Sequence, residues 1–139
     1  MGYEDYLTRY LRQIGTLIAA LIGFREKKEY QLAIDEIEKA FSTWFNIKSE
    51  EIENLSTDEL ASHFQSNSKN FDDEKLIAEL FFQKAITLEQ LGKEKQSLES
   101  AKVSIFLFRL IDNKSGLFSV EIQQRIAELD GLISKTTKS

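Results

Sequence analysis

The chain has 139 residues, 42% apolar and 29% charged, with a formal net charge of −5, which is ordinary for one packed globular domain. It has no cysteine, and that excludes disulfides, thiolate-held metals, iron–sulfur clusters and thiol catalysis. It has no proline either; sheet proteins normally use proline in turns and at edges, so an all-α fold is expected.

A first helix is predicted over about residues 3–24, where Leu7, Leu11, Ile14, Leu17, Ile18 and Leu21 recur at three- and four-residue spacing. Its second half, residues 14–24 (IGTLIAALIGF), carries no charge. That run is well short of the roughly 20 residues a membrane span needs. Glu4 and Asp5 stand where a signal peptide would be positive. No membrane insertion and a cytoplasmic location are therefore expected. Around residues 18–22 the helix is apolar on nearly all sides, so cover is expected on more than one face, from its own domain, a second copy or a partner. Gly15 and Gly23 can permit close packing there.

Residues 25–29 (REKKE) read as a charged turn. Acids dilute the bases here, as elsewhere in the chain, and nucleic-acid binding, which needs concentrated positive charge, is not expected. The second helix should run from Lys28 or Glu29 to Phe45. Tyr30, Ala33, Ile34, Ile37, Phe41, Trp44 and Phe45 form one apolar stripe, with Asp35, Glu36, Glu38 and Lys39 off it. Each large member contributes about 1.5–3 kcal/mol on burial, so the stripe should anchor the fold, with Trp44 and Phe45 as core.

Residues 49–54 fit a single helical turn. Ser56 and Glu59 then match a capping box, with Leu55 placed to staple onto Leu60, opening a short helix that ends near Phe64. Residues 65–70 (QSNSKN) read as a loop. Asp72 is placed to cap the next helix, with Phe71 as its staple, and Gly92 should end it near Leu91. A further helix spans about residues 93–111. Its last third, VSIFLFRLI, is apolar on several faces and should be sandwiched between neighbours. A turn is expected at residues 113–116. Ser119 should cap a last helix with a narrow stripe of Ile122, Ile126, Leu129 and Ile133, suited to a terminal cap. Residues 1–134 thus form one domain, and 135–139 a flexible tail.

Residues 28–34 (KEYQLAI) can be laid over 92–98 (GKEKQSL), with small residues at matched places, Ala33 and Ala40 against Ser97 and Ser104. Seven-residue spacing puts each pair on one helix face, where a partner helix can come close. These windows, about 14–47 and 78–111, resemble the 34-residue tetratricopeptide (TPR) helix pair, with Leu17 and Phe81 as its large early residues. Leu21 and Ala85 replace its usual glycine, Phe45 and Arg109 its closing proline, and the windows are not tandem. The resemblance implies antiparallel pairs in a short right-handed TPR-like superhelix of about six helices. A generic antiparallel helix bundle is the alternative. The opening Tyr3-Glu4-Asp5-Tyr6-Leu7, with Arg9, Leu11, Arg12, Gln13 and Ile14, is similar to that of a bacterial family of uncharacterised proteins with TPR-like halves. That similarity implies no activity.

Little points to chemistry. His63 is the only histidine and reads as a surface or packing residue. The clusters Glu50/Glu51/Glu53 and Asp72/Asp73/Glu74 lack calcium-loop spacing, and no glycine-rich phosphate loop follows a strand. No nucleophile has a nearby base in the sequence. No catalytic residue, cofactor or metal is expected, and the chain is read as a non-enzyme. Tyr3, Tyr6 and Tyr10, with Arg9 and Arg12 between, read as half-exposed packing residues, with a contact patch as the alternative.

The leading expectation is a module that binds a peptide or helix of another protein. If the TPR resemblance holds, its groove is lined by Ile18, Ile22 and Arg25 of the first helix and by Glu79, Phe82, Ile86 and Glu89 of the helix after Asp72. The alternatives are a homodimer formed through the first helix, or a binder of a small apolar ligand.

Overall fold

The structure, a computed structural model, describes residues 3–65, 72–115 and 120–138, with the side chains of 12–64, 73–113 and 120–135. The expectations for residues 66–71 and 116–119, which include the Phe71 staple and the Ser119 cap, lie outside these residues, as do the side chains of Tyr3, Tyr6, Arg9 and Tyr10. Seven helices and no strand occur among the described residues. They are α1 (Tyr3–Glu26), α2 (Tyr30–Phe45), α3 (Ser49–Glu53), α4 (Thr57–Gln65), α5 (Asp72–Gln90), α6 (Glu94–Ser115) and α7 (Val120–Lys138). The count exceeds the expected six because residues 49–53 form a separate short helix.

Local signals account for most boundaries. Lys28 (φ 61°) ends α1 in the left-handed region, and Glu29 N–H closes back onto the Phe24 carbonyl at 2.8 Å. Asn46 (φ 54°) does the same for α2. Both are positions where glycine or asparagine is preferred. Ser56 and Glu59 make both halves of the capping box, at 3.0 and 3.2 Å. Those bonds hold the Glu59 carboxyl below its ordinary range. Gly92 sits at φ 87°, and Lys93 N–H reaches the Leu88 carbonyl at 2.9 Å, the six-to-one bond of a Schellman close.

Two ends differ from expectation. α6 runs on through Asp112 and Asn113 to Ser115, where the sequence suggests a turn. None of these residues forbids helix, and Gln123 Nε2 on α7 donates to Asp112 Oδ2 at 2.9 Å. α7 continues to Lys138, into the segment expected as a tail.

The packing centres on α5 and α6. α5 lies against α6 along its length and also against α2 and α1, while α7 lies on α6. Ser97, Ser100, Ala101 and Ser104 present a row of small side chains on α6, each fully buried. Ser97 Oγ donates to the Ala85 carbonyl at 2.7 Å and Ser104 Oγ to the Ala78 carbonyl at 2.8 Å. The hydroxyls bond directly to α5 backbone, so the small residues do bring these helices together. On α2, Ala33, Ile37, Ala40 and Phe41 are buried, with Trp44 and Phe45 partly covered. Phe41 meets Phe81 of α5 with ring centroids 4.8 Å apart. α7 buries Ile122, Leu129 and also Leu132, which the expected stripe omitted.

Candidate functional site

A cleft runs along α6, between the α3–α4 segment and the C-terminal part of α7. It has a volume of about 640 Å³. Its floor is apolar: Leu55 and Leu60 on one side, Val103, Phe106 and Leu110 on α6, and Ile133 on α7. Phe106 and Leu110 are only half-buried. They belong to the stretch expected to be sandwiched. Leu107, Phe108 and Ile111 are indeed enclosed by neighbouring helices, but a helix apolar on several sides has more apolar face than its neighbours cover, and the surplus lines the cleft. The rim carries Lys102, Glu99 and the Arg109–Asp130 ion pair at 3.0 Å.

A second, polar cleft of about 380 Å³ adjoins it, sharing Glu53 and Glu99. Lys84 of α5 lies at its base with its side chain 12% exposed. Its ammonium contacts Glu53 Oε1 at 2.6 Å, Ser49 Oγ at 2.8 Å and Glu38 Oε1 at 3.3 Å. Ser49 Oγ in turn donates to Glu38, and Ser100 Oγ donates to Glu53 Oε2 at 2.8 Å. No nucleophile near a base is legible in the sequence, and the structure places Ser49 beside the Lys84 side chain. The Lys84 Nζ donates to Ser49 and Glu53 and stands at ion-pair distance from Glu38, and Ser49 is itself 1% exposed. The arrangement ties α3 to α2, α5 and α6.

The residues expected to line a groove are not brought together as one open surface. Glu79 and Phe82 are 6% and 3% exposed because α7 covers them. The Arg125 guanidinium stacks 4.2 Å from the Phe82 ring centroid and pairs with Glu79 at 2.8 Å. Glu89 is paired with Lys135 of α7 at 2.9 Å, and Ile86 is half-buried against the core. The face expected to be free is thus occupied within the chain, since a terminal helix with one apolar stripe must lie on the last pair. On α1, Ile18 is half-buried and Ile22 is 44% exposed. Arg25 donates to Thr87 Oγ1 on α5 at 3.4 Å, and burial lowers its pKa from the ordinary value. The α6 cleft includes none of these seven residues.

No family model, curated protein or solved structure matches this chain. The site has therefore to be read from its own chemistry. Among the described residues, no group of three or more histidine, aspartate or glutamate side chains could hold a metal ion, and no helix is long and apolar enough to cross a membrane. His63 is exposed on α4, edge-on to Phe64 with centroids 4.7 Å apart.

Proposed function

We propose that this protein is a non-enzymatic interaction module that takes a peptide or helix of another protein in the cleft along α6. The half-buried Phe106 and Leu110 in an apolar, charge-rimmed cleft carry this reading. Apolar anchors laid into such a groove are a common mode of helix recognition. The TPR-like reading of α1/α2 and α5/α6 as successive pairs, with α7 as cap, belongs to the same proposal, as does kinship with the bacterial family whose opening residues the chain resembles. In its support, α5 packs on both α1 and α2, and the matched small residues Ala33, Ala40, Ser97 and Ser104 are all buried. Relative to the sequence reading, the binding face moves from α5 to α6.

Selection of peptides from a displayed library, followed by NMR titration of the labelled protein, tests this reading. Shifts centred on Leu60, Phe106 and Leu110 are expected. Shifts centred on α1 or the α5 side of α7 would place binding elsewhere.

A second reading has its own observation. Ile22 is 44% exposed in a helix stretch without charge, and a second copy of α1 could cover it as an isologous dimer. Light scattering across a concentration range separates a 16.0 kDa monomer from a species of twice that mass.

A further inference from the structure

α1 turns Leu17 and Leu21 into the core, where both are buried. At about 100° per residue, the opposite face is centred on Ala19. It carries Thr16 and Ile22, with Arg12 at one end and Glu26 at the other. All five are exposed, Ile22 by 44%. A Cβ added at Gly15 or Gly23 would meet nothing within 4 Å, so no other helix of the chain crowds this face. Between its ends, residues 13–24 carry no charge. The two end charges are opposite in sign, and each stands seven residues from Ala19. Among the described residues neither forms an ion pair. The other charges near the Glu26 end lie off the face: Arg25 turns toward α5, where it reaches Thr87, and Lys27 follows a quarter-turn away, beyond the end of α1.

We infer that this face is covered by the same face of a second copy, with the two α1 helices antiparallel and the two-fold axis at Ala19. Arg12 of each copy then meets Glu26 of the other, twice over, and Ile22 lies against Thr16 across the axis. An isologous contact requires a patch that complements itself, and opposite charges at equal distances from one residue meet that requirement. A parallel pair would set Arg12 against Arg12 and Glu26 against Glu26, so the charges choose the direction. Within one chain Arg12 and Glu26 are about 21 Å apart along the helix at 1.5 Å per residue, too far to pair with each other. The inference rests on the reading of α1 as a dimer surface and adds the direction and register of the pair.

The test is sedimentation equilibrium on the full chain and three charge variants. The unaltered chain should show a species of twice 16.0 kDa. Arg12→Glu and Glu26→Arg each turn two attractive contacts into repulsive ones, and each should weaken the dimer by about tenfold. The double variant Arg12→Glu/Glu26→Arg exchanges the charges and should restore it. That rescue distinguishes the two directions, because in a parallel pair each residue faces its own copy and the exchange only swaps one repulsion for another. Both side chains are exposed and unpaired in the monomer, so circular dichroism should show all three variants equally helical. Ile22→Gln should also weaken the dimer, since it removes the apolar contact without touching the charges. A dimer indifferent to the single charge variants, or one that the exchange does not rescue, would overturn the antiparallel arrangement and leave a dimer in place. A monomer at every concentration would remove both, and would leave this face to a helix from a different protein.

Discussion

The α5–α6 seam and the second half of α1 use the same kind of residue to opposite effect. On α6, Ser97, Ser100, Ala101 and Ser104 are fully buried, and two of their hydroxyls bond to α5 carbonyls. On α1, Gly15 and Gly23 flank exposed Ala19 and Ala20, and a Cβ added at either glycine would meet nothing within 4 Å. Small residues at helical spacing permit close approach. Whether the approach is made depends on a second helix arriving, and among the described residues one arrives at α6 and none within contact of a Cβ at Gly15 or Gly23.

The largest effect should come from filling the seam. Ser104→Leu would drive a branched side chain into α5 and remove a buried hydrogen bond, at about 3 kcal/mol, read as a lowered denaturation midpoint. Phe82→Ser should cost a similar amount, about 3 kcal/mol, because Phe82 lies under Arg125. Helicity surviving at full stability would show instead that α7 does not cover this face in solution. Lys84→Met comes next: it leaves Glu53, whose side chain is 10% exposed, without its cation and should destabilise by about 2–3 kcal/mol, with α3 the first element to lose amide protection.

At the open end of the comparison the sign reverses. Gly15→Ala and Gly23→Ala should each stabilise the monomer by up to about 1 kcal/mol, through helix propensity alone. If α1 pairs with a second copy, the same substitutions should split the dimer, and a mass measurement sees this directly. The smallest effect concerns pH. The folded Glu59 carboxyl lies below its unfolded value, so its contribution is present above the ordinary carboxylate range and fades as pH falls through the folded value. Amide exchange at the start of α4 should quicken in that acid window, while exchange in the α5–α6 seam stays unchanged.

What the sequence determined is local. The α2 stripe, the Ser56–Glu59 box, the stop at Gly92 and the matched small residues of α6 are legible because a helix is specified by neighbours within about four residues. The same reasoning found the apolar excess of residues 103–111. It could not say which side of that excess stays open, because periodicity marks apolar faces without naming what covers them. Only the tertiary arrangement decided that α7 lies over Glu79 and Phe82, and that α3–α4 stands off Phe106 and Leu110. It alone brought Lys84 to Ser49 and Glu53, which lie on a different helix. Those outcomes depend on how the helices share a limited apolar surface, a property of the whole chain that no single segment carries.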